Sequence, residues 1–481
     1  MIENRLTRLA ALSLPALLLC ACRGGSAPAA VPYAYAAPLQ ALRLPAVRRT
    51  VASGKIKYII IIIQENRTLN NLFLGFKGAR TATYGYNLHN QKIPLKPVVL
   101  ETAWDLQHNY EGFINSCNGT GKIPGTNCRM NGFDDQHWNC STPGFPKCPI
   151  KNPPYSYVPN VETKPYFAMG KLYVLADEFF ASDFDTSSFV AHQYMIAGVN
   201  PKSSANYPET VWGCPGGAAD KTDALGKNRK LYKFALVPCW DPPTLADELD
   251  EAGVSWAYYA SKVKAPPSLA CGTSLGPDVS KGRAGIWSAY QAIKHICYGP
   301  DWNNNVFSPS TEFFAHLSSG NLRHVSWVTP TYANSDHGGS GSKTGPSWVA
   351  SVVNAVGKSK YWSSSAIFIL WDDSGGWYDP APPAYLDNDG LGFRVPLLII
   401  SPYAVRGLVS HTHMEFGSVL KFVEDQFGLA RLGASDTRAK SPAPCCFDFT
   451  KPARTYVSIA APFDATYFRS QPLDERAPDD N

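Results

Sequence analysis

Ile56-Lys57-Tyr58-Ile59-Ile60-Ile61-Ile62-Ile63-Gln64-Glu65-Asn66-Arg67 is the stretch on which the fold turns. From Ile56 to Ile63 it is dominated by β-branched side chains, which favour extended backbone over helix. It lacks the polar alternation of a half-exposed strand, so it suits one buried on both faces in the middle of a parallel sheet. It then runs directly into Gln64-Glu65-Asn66-Arg67. The carboxyl ends of central strands are where open α/β sheets carry their chemistry.

The same arrangement recurs further along the chain. Ala366-Ile367-Phe368-Ile369-Leu370 is a second apolar strand and leads into Trp371-Asp372-Asp373-Ser374-Gly375-Gly376. A third, Val395 to Ile400, precedes Ser401-Pro402-Tyr403. Helical periodicity marks Thr244 to Ala252, Ser347 to Val356, and Ser418 to Phe427, the last with Val419, Leu420, Phe422, Val423 and Phe427 on its apolar face. Strands alternating with helices predict an α/β fold with a mainly parallel sheet flanked by helices. Residues 105–165 and 200–310, rich in Cys, aromatic residues or loop-forming residues, read as large insertions, the second as a candidate cap. Residues 466–481 read as a polar tail, and no internal repeat or heptad pattern is evident.

The 481 residues, 44% hydrophobic and 17% charged, give material for a large core and exclude global disorder. A net charge of +5 is small for this length and gives no reason to expect a nucleic-acid partner. Arg5 and Arg8 followed by apolar residues up to Cys20, interrupted by Pro15, form a targeting segment too short for a comfortable membrane span. Leu19-Cys20-Ala21-Cys22 fits a lipobox, making residues 1–22 a lipoprotein-type signal, Cys22 the lipidated mature terminus and residues 23–50 a flexible tether. The expected location is therefore periplasmic or outer-membrane, held through a lipid anchor, or secreted after ordinary cleavage. Ten further cysteines (117, 128, 140, 148, 214, 239, 271, 297, 445 and 446) read as disulfides of an oxidising compartment, with adjacent Cys445 and Cys446 bonded to different partners. A zinc site is the competing reading, but the spacings are irregular and contain no C-x-x-C pair.

Glu65, Asn66, Asp372 and Asp373 at two strand ends would gather three carboxylates and an amide. The economical reason for that is one hard divalent cation, which takes oxygen ligands. The alternative is that Asp372 and Asp373 only cap the following turn, since Asp-Ser-Gly-Gly is good turn chemistry.

Several segments carry a family resemblance. They are Ile62 to Arg67, Asp105-Leu106-Gln107-His108-Asn109-Tyr110, Leu175 to Phe180, Ser187 to Tyr194, Pro238-Cys239-Trp240-Asp241, Ser335-Asp336-His337-Gly338, Trp371 to Asp379 and Arg394-Val395-Pro396-Leu397. In this order, from about residue 55 to 450, the chain resembles the bacterial phosphoesterase family of acid phosphatases and phosphatidylcholine-type phospholipases C, related in fold to alkaline phosphatase. The resemblance implies a phosphoesterase domain over 51–465 and a nucleophile at Ser188, with Thr186 and Ser187 the alternatives under a small register shift. It implies one divalent ion held by Glu65, Asn66, Asp372, Asp373 and Ser188. His108 and His337 are expected to bind phosphate or move protons, with His337 or His411 protonating the leaving alcohol and His295 a further substrate contact. His192 reads as packing behind the nucleophile. The implied function is a metal-dependent acid phosphatase working through a phosphoserine, with phospholipase C the nearest alternative and a non-catalytic ligand-binding lipoprotein the alternative of another class. Its partner is then a phosphorylated small molecule or a phospholipid. Two departures, Thr68-Leu69-Asn70-Asn71 after the Glu-Asn-Arg segment and Pro380 after Asp379, bear on substrate range rather than on reaction class.

Overall fold

The computed structural model describes residues 54–476 apart from 142–143, 145–146, 185–186, 207–212, 216–220, 264–270 and 272–286. The signal segment 1–22, the tether 23–50 and Thr186 lie outside the described residues.

The central sheet has eight strands: β1 (Tyr58–Gln64), β2 (Val174–Ala176), β3 (Trp256–Tyr259), β4 (Val306–Phe307), β5 (Val325–Val328), β6 (Ser365–Trp371), β7 (Leu397–Ile400) and β8 (Leu408–Ser410). Their spatial order is β4-β3-β5-β1-β6-β7-β2-β8. All neighbours are parallel except around β7, which runs antiparallel to both β6 and β2. The mainly parallel sheet therefore matches expectation. Strand β1 sits between β5 and β6, and every residue from Ile59 to Gln64 is at most 1% exposed. Five isoleucines in a row are tolerated there because both sheet faces are covered. Each contributes about 1.5–3 kcal/mol by leaving water.

Helices α1 (Lys164–Leu172), α2 (Ser188–Ala197), α3 (Leu245–Glu251), α4 (Gly345–Gly357) and α5 (Phe416–Phe427) supply that cover. Helix α1 packs against α4, and α2 against α5. The start of α5 is set by Ser418, whose Oγ accepts from the Glu415 N–H (3.1 Å), and its end by Gly428 in the left-handed region. All ten residues of α2 are buried, so it is a core helix rather than an amphipathic surface one.

Three expectations need correction. Residues 200–310 are not one insertion, since β3, β4 and α3 belong to the sheet and its cover. The strand was overlooked because Trp256-Ala257-Tyr258-Tyr259 is aromatic rather than aliphatic, yet each of its residues is at most 1% exposed. What projects is a small antiparallel sheet of Ser204–Ala205, Thr222–Leu225 and Leu231–Leu236. The tail opens with a helix, Ala465–Ser470, because Asp464 caps it and Phe468 is buried against the Trp348 ring at 5.3 Å. Finally, only eight of the ten cysteines pair: Cys117–Cys128, Cys140–Cys148, Cys214–Cys239 and Cys271–Cys297. Cys445 and Cys446 are free thiols. They follow one another in the short helix Ala443–Cys446, while the other eight are already paired with each other.

Candidate active site and cation-binding cluster

Parallel register builds the site. Strands β1 and β6 pair from Tyr58↔Ser365 through Gln64↔Trp371, so Glu65-Asn66 and Asp372-Asp373 leave the sheet side by side. The link continues past the strands, for Asp372 N–H donates to Gln64 O (3.0 Å) and Asn66 N–H to Asp372 Oδ1 (2.9 Å). Asn66 takes φ 59°, a left-handed conformation that Asn tolerates better than other L-residues and that turns the chain immediately after the strand. Gly375, at φ 56°, closes the opposite turn. A β-carbon there would lie 2.2 Å from Asn66 O, so only glycine lets the two turns meet.

The candidate nucleophile arrives from α2. Ser188 is its first residue, at the positive end of the helix dipole, and its Oγ donates to Asp373 Oδ2 (3.2 Å). The other oxygen of Asp373 accepts from Gly375 N–H (2.7 Å), which fixes the carboxylate. Glu65, Asn66, Ser188, Asp372 and Asp373 are all fully buried. Burial raises the Asp372 pKa, but a hydrogen bond with Glu65, the electrostatic influence of the His192 ring and hydrogen bonds from the Ser188 hydroxyl and the Asn66 N–H together hold it below the usual carboxylate range.

Asn66 is the hinge of a second cluster. His108 donates from Nδ1 to Leu106 O (2.7 Å), and His337 from Nδ1 to Gly338 O. Each neutral ring then presents Nε2 as an acceptor, and the Asn66 Nδ2 amide donates to both, at 2.7 and 3.0 Å. With both amide protons spent, Asn66 Oδ1 points away from the imidazoles and has no hydrogen-bond partner among the described residues. A buried acceptor of that kind costs stability unless something occupies it. Together with the flanking carboxylates it suits a hard cation, so the residues present fit the expected ion.

This geometry changes the reading of the histidines. His108 and His337 are not set to touch phosphate or release a proton from Nε2, because that atom accepts from Asn66. They brace the amide instead. Asp105 completes their group, with Oδ2 at 3.8 and 3.9 Å from their Nδ1 atoms. Burial lowers the His337 pKa, opposed by Asp105. Asp336, the residue before it, sits at φ 72°, and its buried carboxylate accepts from Tyr166 Oη (2.6 Å) and Trp371 Nε1 (3.2 Å). Burial pushes Asp336 up to about 6, Tyr166 and Arg67 opposing. Arg67 is likewise a brace, lying over the Trp377 ring and donating to Asp336 O, Asn71 Oδ1 and Leu100 O.

His295 and His411 are held elsewhere. His295 is gripped by Asp241 (2.5 Å) and Asp247 (2.8 Å) on its two ring nitrogens, which raise it to about 9, with Asp247 the larger cause. Two carboxylates on one imidazole leave no nitrogen for a phosphate and repel its charge. His411 donates to Asp177 Oδ1 (2.7 Å), with its side chain 42% exposed. Neither has a site residue among these partners. Ser187 is described with an extended backbone before α2 and makes no contact comparable to the Ser188–Asp373 bond.

Two residues were missed. Asp105 stands in a motif already singled out by its His108. His192, read as packing, lies one helical turn after Ser188, with Nε2 3.5 Å from Glu65 Oε1 and 3.8 Å from Asp372 Oδ2. Ligand atoms of Glu65, His192 and Asp372 all fall within 4.8 Å of one another. Burial pushes His192 down to about 4, only partly opposed by Asp372, so the ring is neutral at ordinary pH. The i, i+4 spacing from Ser188 was the available signal.

A family model described as the phosphoesterase family matches residues 56–430. The chain belongs to that family. Among curated relatives, it is 23% identical over 447 residues to a non-hemolytic phospholipase C of Burkholderia pseudomallei, covering 81% of this chain and 57% of that one. Phospholipase C B of Mycobacterium tuberculosis is 21% identical over 434 residues, covering 78% and 74%. The non-specific phospholipase C1 of Arabidopsis thaliana is 22% identical over 392 residues, covering 74% and 63%. The chain thus spans between 57% and 74% of the length of these three relatives. A solved protein of the alkaline phosphatase superfamily from Vibrio parahaemolyticus aligns with a TM-score of 0.35 and 12% identity, over 80% of this chain and 71% of that one.

Proposed function

We propose that the chain is a metal-dependent phosphomonoesterase of the acid phosphatase type, acting through a phosphoserine at Ser188. One observation carries this: a serine at a helix N-terminus, hydrogen-bonded to Asp373, stands within a buried cluster of Glu65, Asn66 and Asp372. Asp373 Oδ2 accepts the Ser188 proton and orients the hydroxyl, leaving an oxygen lone pair to face an incoming phosphorus. The N-terminal dipole of α2 favours the phosphoryl negative charge at the same point. Asn66 is oriented by His108 and His337, which engage its amide nitrogen and leave Oδ1 as a buried acceptor for a cation. A divalent cation held by Glu65, Asn66, Asp372 and Asp373 would lower the pKa of the Ser188 hydroxyl and neutralise charge on the phosphoryl oxygens. Attack of Ser188 Oγ on phosphorus forms the seryl phosphate and expels the alcohol, and water then releases phosphate.

Phospholipase C is the second reading. It is supported by the printed names of the relatives and by the projecting strand Leu231–Leu236, where Tyr232 (48%) and Phe234 (64%) are exposed beside Lys230 and Lys233. Aromatic and basic residues together suit a lipid–water boundary. We further propose export with a lipid anchor at Cys22, supported by the sequence of residues 5–22 and by four disulfides.

The test is hydrolysis of p-nitrophenyl phosphate and of phosphatidylcholine vesicles by purified protein, with and without chelator, alongside Ser188→Ala. The first reading expects faster turnover of the monoester, abolished by chelation and reduced at least ~10³-fold by the substitution. Faster release of phosphorylcholine from vesicles favours the second. Activity indifferent to both treatments contradicts the mechanism.

A further inference from the structure

We infer that His192 is itself a ligand of the cation, through Nε2, making the site a mixed nitrogen and oxygen cage rather than an all-oxygen one. The inference rests on the proposed reading of Glu65, Asn66, Asp372 and Asp373 as a cation site, and it names the class of ion that site takes.

Distance is the first argument. His192 Nε2 lies 3.5 Å from Glu65 Oε1 and 3.8 Å from Asp372 Oδ2. Both exceed the 2.7–3.2 Å expected of a direct N–H···O bond. Two donors that share one ion at about 2.0–2.2 Å with tetrahedral angles stand about 3.3–3.6 Å apart; the Glu65 spacing of 3.5 Å falls in that range and the Asp372 spacing of 3.8 Å lies just beyond it. The ring is thus placed as a co-ligand would be, not as a hydrogen-bond donor to either carboxylate.

Orientation is the second. Nδ1 lies 3.3 Å from Tyr258 Oη on β3, and the Trp287 ring meets the imidazole edge-on at a centroid distance of 4.3 Å. A histidine that ligates through one nitrogen is normally held at the other by an oxygen partner, which sets tautomer and ring plane. Tyr258 is that partner here, and the fully buried ring turns Nε2 toward the carboxylates. Position i+4 from Ser188 puts nucleophile and ligand on one face of α2, so a single rigid helix delivers both.

The consequence is selectivity. An imidazole nitrogen favours zinc, cobalt or iron over magnesium and calcium, which take oxygen ligands almost exclusively. Zinc and magnesium are therefore titrated separately into metal-free protein, wild type and His192→Ala, and pulsed electron paramagnetic resonance is recorded on wild type loaded with Mn²⁺. We expect zinc to bind at least ~10²-fold more tightly than magnesium, since ligand type governs such preferences. His192→Ala should remove most of that preference, weakening zinc ~10²-fold and magnesium less than about threefold. The spectrum should show a directly coordinated ¹⁴N. Because it is recorded on wild type, it decides the matter even if the variant fails to fold. Metal binding without nitrogen coupling, or equal weakening of both ions, overturns the His192 assignment alone. No binding of any ion to wild type overturns the cation site with it.

Discussion

Asp373→Asn changes one oxygen to nitrogen at the centre of the cluster, and its consequences for stability and for function run in opposite directions. The asparagine Oδ1 keeps the bond from Gly375 N–H (2.7 Å) while its amide faces Ser188 Oγ, so the local geometry survives. What is lost is charge. A hydrogen bond to a carboxylate is worth about 1–1.5 kcal/mol more than one to a neutral acceptor, and Asp373 makes two, hence a loss of about 2–3 kcal/mol. Against this stands the repulsion of like charges. Glu65, Asp372 and Asp373 are all 0% exposed, and two such charges about 4–6 Å apart at an effective dielectric near 20 repel by about 3–4 kcal/mol. The metal-free variant should therefore melt at or slightly above wild type. Loss of a charged ligand should weaken the cation ~10²-fold, reducing the stabilisation by saturating cation by about 2.7 kcal/mol. Calorimetric melting of both proteins, stripped and cation-loaded, measures these terms, and kcat/KM should fall about 10²-fold or more. A metal-free variant several degrees less stable than wild type, with an undiminished gain on adding cation, would refute the reasoning.

Other predictions follow from the same geometry. Asp336, pushed up to about 6 by burial, keeps its proton longer folded than unfolded, so stability falls as pH rises from about 4 through 6. Asp336→Asn should remove about 3 kcal/mol of that fall, visible as a flattened stability curve in urea at pH 4 to 7. His295, raised to about 9 by Asp247 and Asp241, contributes stability that is present below pH 6.5 and lost as pH passes 9. Its replacement by Gln should remove that pH-dependent part of the stability and leave kcat unchanged, whereas a large loss of kcat would return it to the site. Thiol titration of denatured, unreduced protein beginning at residue 23 should count two thiols, from Cys445 and Cys446, where full pairing would give none.

The sheet was legible because its strands are aliphatic and uninterrupted. Ile59 to Ile63 and Ala366 to Leu370 announce burial on both faces, and the polar quartet and acidic pair at their ends announce where chemistry belongs. What a one-dimensional reading lacked was register. Only the pairing of Gln64 with Trp371 makes Asn66 and Asp372 hydrogen-bonded neighbours. Strand β3 escaped notice because Trp, Tyr and Ala at its positions look like loop or insertion composition. The histidines show the same limit. Motif context singled out His108 and His337 as phosphate-binding or proton-transfer groups, while the partner that the structure gives them, one amide nitrogen shared between two rings, follows from three separate loops meeting. His411 drew attention from its place just before the helix beginning near Ser418, and His295 from a helix-like stretch outside the motif segments, but carboxylates hold both. His192 read as packing behind the nucleophile, although burial beside Ser188 is what places it against Glu65.

Chemical capture of the phosphoryl group tests the central claim most directly. Protein mixed with a ³²P-labelled phosphomonoester and quenched in acid within milliseconds should carry covalent label at close to one phosphate per site. Peptide mass spectrometry should place it on Ser188, and Ser188→Ala should carry none. Label on Ser187 or Thr186, on a histidine, or absent throughout rapid turnover would contradict the account.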